Sequence, residues 1–351
     1  MIWSRTNQLI IAAAERLGVE AEAIASEHSD FFLRLRWADA PGGPRAVIVS
    51  KTRSPYMTQV AQTLANNKFI ARELLAGHGL PVVEGVLFDE AADPSRSADA
   101  ADRARAFLAT HGRVVVKPNW GNRGLGVMTE VGDFAALLAA YGFARGLDRD
   151  EEVVLEPYVG GTNVRVAVIG GRFAAAAEVT RPQLCGDGQR SVTALLDALN
   201  ADPRRGSWDR PDLIPLDRID RENVADLLEV DGLGLDTVLA AGEQVELSFE
   251  EHEVIDRSDE LHPGWIEVAV EAARLLGVDI AGVDLRGDAR ELFDAPPSSQ
   301  SQARLLEVNA LPALHLHALP TQGAARPVFE AFVGYCLQLP GAPEPCAGVL
   351  V

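Results

Sequence analysis

A lysine at the end of a valine-rich run, followed by several glycines, is the first feature of the sequence that suggests chemistry. The run is Val114-Val-Val-Lys-Pro-Asn-Trp-Gly-Asn-Arg-Gly-Leu-Gly126, and its valines predict a buried strand. Lys117 would then place an ammonium group where the loop begins. Gly121, Gly124 and Gly126 let the backbone fold closely over an anion and offer N–H groups to it. The pattern favours a loop that binds a nucleotide polyphosphate over an ordinary hairpin turn.

Three oxygen-bearing side chains lie further along, in two segments that are predicted to be strands. Asp284 is in the apolar segment Ile280–Leu285, and Glu307 and Asn309 are two residues apart in Arg304–Ala310. Because strand side chains alternate between faces, Glu307 and Asn309 point the same way. Two carboxylates and an amide oxygen suit Mg²⁺, which often shares its ligands with substrate phosphates. Together with the lysine and the glycine loop, they indicate phosphoryl transfer.

The elements that must position these residues are predicted from hydrophobic periodicity and turn signals. The first part of the chain predicts an amphipathic helix that ends at Gly18, rather than a signal peptide, and then two strands, FFLRLR and AVIVSKTR. Asn66 or Asn67 can cap the next helix. The stripe that this helix buries is predicted from three of its apolar residues, namely Ile70, Leu74 and Leu75.

Downstream, helical and strand patterns alternate. A helix over Ala98–Thr110 and strands over Val114–Lys117 and Val153–Glu156 predict a small clamping subdomain. The remaining predicted elements are a Gly170-Gly171 hairpin turn, a helix capped by Ser191, a loop over Asp202–Pro215, the helix Trp265–Leu276 and an exposed connector over 294–302.

Eight further pieces of sequence occur in the order that characterises a known family. They are FFLRLR, NNKFIARELLAGHGLPV, VVVKPNWGNRGLGV, VLEPYVGGTNVRVAVIGG, GDGQRSVTALLDALNADPRRG, RSDELHP, GVDIAGVDL and LLEVNALPALHLHALP. With them the chain resembles the ATP-grasp carboxylate–amine ligases, most of all the C-terminal ligase module of bifunctional glutathione synthetases and the ATP-grasp module of cyanophycin synthetase. The resemblance runs from about Phe31 to about Leu337.

The resemblance implies an α+β, ATP-grasp fold in which two α+β subdomains clamp ATP behind a short N-terminal α/β portion. The implied divisions are residues 1–65 for that portion, 66–158 for the nucleotide-clamping subdomain, 159–340 for the catalytic subdomain and 341–351 for a tail.

The resemblance also implies roles for individual residues. The implied ATP-binding residues are Lys68, Lys117, Gly121, Asn122, Arg123, Gly124, Gly126, Glu156, Tyr158, Val159 and Asn163. Within this set, the two lysines contact phosphates and the Glu156–Val159 hinge receives adenine. Asn163 stands where relatives carry an acidic residue that binds the ribose, so its contact lacks charge assistance.

Catalysis and metal binding are implied for a second group of residues. Arg165, two positions after Asn163 and on the same strand face, would steady the γ-phosphate or the acyl-phosphate oxygens, and Lys117 would act with it. Asp284, Glu307 and Asn309 match the Mg²⁺ ligands, and Mn²⁺ is the alternative ion. A surface ion pair for Arg165 and a structural cap for Asp284 are the plainer interpretations.

Other residues with reactive side chains carry no assignment. His315 and His317 alternate with leucines, and we interpret them as hydrogen-bonded structural groups rather than as zinc ligands. Cys185 lacks the base partner that a nucleophile needs. The three cysteines are odd in number and lack metal-ligand spacing, which suits a reducing cytoplasm.

Composition limits the classes of protein that fit. The 351 residues are 47% hydrophobic, which excludes overall disorder, and no apolar run is long enough to span a bilayer. The 32 basic and 51 acidic residues give a net charge of −19, so the surface repels nucleic acid and anionic membrane. The expected partners are small amino-acid or peptide substrates, with a homo-oligomer left open.

The sequence departs from its relatives at one place. A serine-threonine-glycine-glycine loop precedes their aspartate-glutamate-histidine-proline stretch, whereas this chain has the shorter, acidic segment Leu247–Asp256. A substrate pocket is therefore expected to differ.

We predict an ATP-dependent ligase that forms an amide through an acyl phosphate and releases ADP and phosphate. The alternatives are glutathione synthetase itself and a catalytically idle nucleotide-binding partner protein.

Overall fold

The computed structural model describes residues 4–24, 31–121, 124–180, 183–203, 205, 219–230, 232–247 and 253–345. The chain begins with α1 (Arg5–Arg16), which ends just before Gly18 as predicted. An antiparallel three-stranded sheet follows, made of β1 (Glu20–Ala23), β2 (Phe32–Trp37) and β3 (Arg45–Ser50).

Two consecutive helices lead into a four-stranded sheet, which we call the clamping sheet after the predicted role of its subdomain. These are α2 (Gln59–Asn66) and α3 (Lys68–Gly77). The predicted cap of α3 is confirmed, because the Asn67 side chain accepts a hydrogen bond from the Ile70 N–H at 2.9 Å. The predicted buried stripe is wrong at Ile70, whose exposed fraction is 48%, whereas Arg72 in the same helix is only 5% exposed.

The clamping sheet has four antiparallel strands in the order β4-β7-β5-β6. Its elements in chain order are β4 (Val86–Phe88), α4 (Ala98–His111), β5 (Val114–Pro118), β6 (Met128–Val131), α5 (Phe134–Leu147) and β7 (Val153–Pro157). Valines and leucines on one face of β5 and β7 pack with α4 and α5 into a core. The other face carries Lys117 and Glu156, because side chains alternate along each strand.

A five-stranded antiparallel sheet in the order β12-β9-β8-β13-β14 forms the larger part of the molecule. The remaining elements in chain order are β8 (Thr162–Ile169), β9 (Arg172–Thr180), β10 (Gln183–Cys185), α6 (Val192–Asn200), α7 (Arg221–Val230), β11 (Gln244–Glu246), β12 (Glu253–Asp256), α8 (Pro263–Leu276), β13 (Ile280–Gly287), α9 (Ala289–Phe293), β14 (Arg304–Asn309), α10 (His315–Ala318) and α11 (Val328–Leu337). The β10–β11 pair forms a separate small sheet.

Turn and cap chemistry determines where several of these elements end. Gly170 and Gly171 have φ angles of 57° and 71°, so they form the predicted two-residue hairpin turn between β8 and β9. Ser191 caps α6, and Gly277 ends α8 in the left-handed conformation. The predicted loop over Asp202–Pro215 lies mostly outside the described residues.

Each face of the large sheet has its own core. On one face, alternate residues of β8 and β13 pack with α2, α3 and α8 around Trp265. On the other face, Ala167 and Ile169 of β8 pack with α1, α11 and the N-terminal sheet. Asn163 and Arg165 share this second face, since they lie an even number of residues from Ala167. Beyond the edge of that core the face is polar.

Candidate active site

Arg165, Asp284 and Glu307 form one row across the large sheet. Asp284 in β13 is paired in register with Arg165 in β8 on one side and with Glu307 in β14 on the other. Arg165 donates two hydrogen bonds to the Asp284 carboxylate, from Nε to Oδ1 at 2.7 Å and from Nη2 to Oδ2 at 2.8 Å. Directly opposed residues of antiparallel strands project from the same face, so the sheet brings these three predicted residues together.

The two carboxylates of this row have different electrostatic surroundings. Burial raises the pKa of Asp284 above its usual value, and the neighbouring Glu307 adds to the rise, although Arg165 opposes it. Burial also acts to raise the pKa of Glu307, but the charges of Lys68, Lys117 and Arg165 outweigh it and hold that pKa below its usual value. Glu307 is therefore the carboxylate that faces the predicted phosphate-binding lysines.

Asn309 completes the predicted metal-binding set. Its Nδ2 donates hydrogen bonds to Asp284 Oδ2 and to Glu307 Oε1, both at 3.1 Å. The donor set of two carboxylates and one amide suits Mg²⁺, which also needs substrate or water oxygens to complete its shell. The amide would have to turn over to offer Oδ1 to an ion. Among the described residues, no three His, Cys, Asp or Glu side chains form a metal-binding group by themselves.

Lys68 lies in the first turn of α3, close to the start of the glycine-rich loop. Its Nζ donates to the carbonyl oxygen of Gly121 at 2.9 Å and lies 3.5 Å from that of Asn119. Burial lowers the pKa of Lys68, Glu307 opposes this shift, and the charge of Lys117 adds to the lowering. Lys68, Lys117 and Glu307 are thus close enough to influence one another, although they come from three distant parts of the sequence.

The glycine-rich loop connects β5 to β6 above Lys117. Gly121, Gly124 and Gly126 have φ angles of 142°, 71° and 75°. Residues that carry a Cβ rarely adopt such positive φ angles. At Gly126 a Cβ would also lie only 2.9 Å from side-chain atoms of Leu147 and Pro118. Asn122 and Arg123, the other two predicted loop residues, lie outside the described residues.

Asn119 is a site residue that the sequence analysis missed. Its side chain is fully buried, accepts a hydrogen bond from the Phe69 N–H at 2.9 Å and donates one to Glu152. Its carbonyl oxygen accepts the Lys68 N–H at 3.2 Å. Asn119 therefore ties the start of the glycine loop to α3. Its place between the lysine and the loop was the only available signal.

The predicted adenine hinge follows β7. The Tyr158 N–H donates to the Arg113 carbonyl oxygen at 2.9 Å, so this N–H already has a partner and does not fit the predicted contact with adenine. The carbonyl of Tyr158 and the backbone of half-buried Val159 are left to make that contact. Asn163 is also half-buried and is paired in register with Arg286.

Glu156 lies at the centre of a buried group of charges. Lys117 Nζ is 2.7 Å from one carboxylate oxygen of Glu156, and Arg72 Nη1 is 3.2 Å from the other. This ion pair holds Lys117 at the end of β5. Arg72 was not predicted, because an arginine in a helix is usually exposed.

The residues without an assigned role include two histidines and the cysteines. His317 is 3% exposed, and burial, with the charges of Arg165 and His315, lowers its pKa to about 3. Its buried Nδ1 has no hydrogen-bond partner within the described part of the chain, so the interpretation of His317 as a hydrogen-bonded group is not supported at this atom. Cys185 is exposed and Cys336 is buried, whereas Cys346 lies outside the described residues. No helix among the described residues is long and apolar enough to cross a membrane.

No family model matches the sequence, but individual proteins do. A cyanophycin synthetase of Synechocystis is 33% identical over 221 residues, which are 61% of this chain and 24% of that protein. The glutathione biosynthesis bifunctional protein of Mannheimia succiniciproducens is 27% identical over 331 residues, which are 92% of this chain and 41% of that protein. The chain thus spans between a quarter and two fifths of the length of these relatives.

A solved structure has a similar fold over almost the whole chain. The bifunctional glutathione synthetase from Pasteurella multocida matches with a TM-score of 0.59 and 24% identity, over 96% of this chain and 44% of that one. The α+β, ATP-grasp fold predicted from the sequence is therefore confirmed. The relatives likewise confirm the predicted resemblance to the ATP-grasp carboxylate–amine ligases.

Proposed function

We propose that this protein is an ATP-dependent carboxylate–amine ligase that forms ADP. The observation that carries the proposal is the proximity of two sets of predicted site residues. Lys117 comes from the clamping sheet and Lys68 from α3, which packs on the large sheet, and the charges of both lysines act to lower the pKa of Glu307. Glu307 is in turn paired with Asp284, which Arg165 holds with two hydrogen bonds. Phosphoryl transfer needs this combination of cations and oxygen ligands.

The proposed chemistry has two steps. A carboxylate oxygen of the donor substrate attacks the γ-phosphorus, so an O–P bond forms while the bond to the β–γ bridging oxygen breaks and ADP leaves. The acceptor amine then attacks the acyl-phosphate carbonyl. A C–N bond forms, the C–O bond to phosphate breaks, and the ammonium form of the amine gives up two protons overall. The protein mainly positions groups and neutralises charge in both steps.

Each group of site residues has a part in this scheme. Lys68 and Lys117 bind phosphates, and Arg165 stabilises the transferred phosphoryl group and the oxygens of the acyl phosphate. Asp284, Glu307 and Asn309 would hold Mg²⁺, whose charge would offset that of the phosphates. Mn²⁺ is the proposed substitute ion. The loop from Gly121 to Gly126 shields the acyl phosphate from water.

The substrates that we propose are an amino-acid or peptide carboxylate and an amino-acid amine. Glutathione synthetase, which joins γ-glutamylcysteine to glycine, is the second candidate, favoured by the bifunctional relatives. The shorter segment before Asp256 argues against it, and residues 248–252 of that segment lie outside the described residues. We therefore expect this pair to be a poor substrate compared with other combinations. Efficient glutathione formation at ordinary substrate concentrations would reverse this order.

The experiment is to measure ADP release with Mg²⁺ and ATP across a panel of amino acids and short peptides, offered in pairs. The proposal expects ADP release that depends on a particular pair and equals the amide formed. Asp284→Asn should abolish this release, whereas Asp102→Asn, at an exposed ion pair with Arg105, serves as the control. Tight ATP binding without release for any pair would favour the third candidate, an idle nucleotide-binding partner protein.

A further inference from the structure

A buried group of three charges links α3 to the clamping sheet. Arg72, Lys117 and Glu156 are 5%, 6% and 4% exposed. The Glu156 carboxylate is shared, with Lys117 Nζ 2.7 Å from Oε2 and Arg72 Nη1 3.2 Å from Oε1. Arg72 Nε also lies 3.7 Å from a carboxylate oxygen of the exposed Glu73, so the two buried cations share Glu156 as a buried anion. A pair of Lys117 and Glu156 alone would have been neutral.

The surroundings of Arg72 are built around its guanidinium group. The group lies over the Phe69 ring, with Cζ 4.7 Å from the ring centroid. A Cβ at Gly85 would fall on Nη1 of Arg72 and would lie 2.7 Å from the carbonyl oxygen of Leu155, so only glycine leaves this space open. The buried Nη2 has no hydrogen-bond partner within the described part of the chain. A buried donor without a partner is costly, so this group contributes less to stability than a fully hydrogen-bonded arginine would.

Arg72 also shares a helix face with the second predicted phosphate-binding lysine. Lys68 and Arg72 are four residues apart in α3, so they project from the same side of the helix. The helix α3 packs on α8 and β14. Its charged residues Lys68 and Arg72 therefore lie between the large core and the clamping sheet. Arg72 therefore contacts Glu156 from α3, whereas Lys117 contacts it from β5 of the clamping sheet.

We propose that Arg72 is a positioning residue for the nucleotide phosphates, acting through Glu156 on Lys117. By sharing the carboxylate, Arg72 prevents Glu156 from neutralising Lys117 completely. The ammonium group of Lys117 then keeps a net attraction for the polyphosphate, although the chain as a whole carries −19. This inference rests on the proposed function, since it requires that ATP binds beside Lys117.

The test compares two replacements that separate charge from hydrogen bonding. Arg72→Gln keeps a hydrogen-bond donor for Glu156 but loses the charge, and Arg72→Lys keeps the charge. ATP, ADP and adenosine are each titrated into the purified full chain by calorimetry, with thermal unfolding as the check on folding. We expect Arg72→Gln to bind ATP and ADP about tenfold more weakly and to bind adenosine as the wild type does. Arg72→Lys keeps the charge but loses the planar contact with Phe69, so it should lose less ATP and ADP affinity than Arg72→Gln and should also bind adenosine as the wild type does.

The control is Arg105→Gln, because Arg105 is an exposed arginine of the clamping part, 54% exposed and paired with Asp102. It should leave all three affinities unchanged. An equal loss for adenosine in Arg72→Gln would overturn the inference, because a loosened fold or a direct contact with the base would weaken every ligand. If Arg72→Gln does not fold, Arg72→Lys decides, and a tenfold loss of ATP affinity there would also overturn it. Absence of ATP binding by the wild type would instead refute the proposed function.

Discussion

Arg165 and Asp284 are held together by two hydrogen bonds of 2.7 and 2.8 Å between directly opposed residues of β8 and β13. Both oxygens of Asp284 are thus engaged by the arginine. An ion that binds Asp284 must share or displace these bonds, which would release the guanidinium group towards the phosphates. The pair would therefore join the proposed metal-binding part of the site to its proposed phosphate-binding part.

Replacing Arg165 tests whether its contact with Asp284 matters for phosphoryl transfer. Arg165→Lys keeps a positive charge but cannot form the two-pronged contact with Asp284. We expect turnover to fall by about 10²–10³-fold, the range found when one preorganised donor to a transition state is removed. The change should appear in kcat and less in KM for ATP. Steady-state kinetics would reveal it, and near-normal kcat would show that Arg165 only neutralises Asp284.

Glu307 tests the metal assignment. Glu307→Ala removes one of the two carboxylates expected to hold Mg²⁺, and turnover should fall by several orders of magnitude because the ion neutralises charge on the phosphates. Folding should survive, since Glu307 is half-buried and lies outside the apolar core of the large sheet. Glu271→Ala, at an exposed ion pair with Arg274 in α8, is the control that should keep full activity. A folded Glu307→Ala protein with near-normal activity would exclude this residue as a ligand.

Asn163 tests the contact with the ribose. Asn163→Asp should create a charge-assisted hydrogen bond to a hydroxyl and tighten ATP binding by about 1 kcal/mol, or roughly fivefold. The dependence on metal concentration should change little. Arg286, which is paired in register with this position, supplies a positive charge that offsets the new carboxylate. Titration calorimetry would compare the ATP affinities of the wild type and Asn163→Asp. Unchanged or weaker ATP binding by the variant would mean that Asn163 does not hold the ribose.

His317 makes stability depend on pH. Its pKa is lowered to about 3 by burial and by the nearby charges of Arg165 and His315, against about 6.5 in an unfolded chain. Because the folded state favours the neutral imidazole, stability is complete above pH 6.5 and is lost as the pH falls towards 3. At pH 5 the loss from this residue is about 2 kcal/mol.

The measurement for His317 is the free energy of unfolding by urea at pH 7 and pH 5. His317→Gln cannot gain a proton, so its loss of stability between these values should be smaller than that of the wild type by about 2 kcal/mol. His111→Gln, which removes a histidine that contacts Glu84 elsewhere in the chain, is the control. Equal losses in the wild type and His317→Gln would contradict the argument.

Much of the fold was predictable because local signals and packing agree. Glycines with positive φ angles and side-chain caps end the elements where the sequence indicates, as at Gly170-Gly171 and Asn67. The row of Arg165, Asp284 and Glu307 was only partly predictable. Strand alternation shows which residues share a face, but their alignment across strands depends on register, which tertiary structure determines.

The predictions that failed, and the site residue that was missed, have a common cause in the packing between segments that are distant in the sequence. Ile70 was expected in the core of α3, but the helix turns Arg72 inward to meet Glu156, so a charged residue takes an apolar position. The role of Asn119 could not be read from its place in the sequence alone, because its partners Phe69 and Glu152 are far from it along the chain. The division at residues 65, 158 and 340 stays a prediction.

The transfer of an oxygen atom tests the central claim most directly. Once the panel has identified a donor, its carboxylate is labelled with ¹⁸O, and the inorganic phosphate released with ATP and the amine is analysed by ³¹P NMR. An acyl phosphate requires that one labelled oxygen moves from the carboxylate to each phosphate, with ADP as the other product. Unlabelled phosphate, or AMP and pyrophosphate as the main products, would contradict the account.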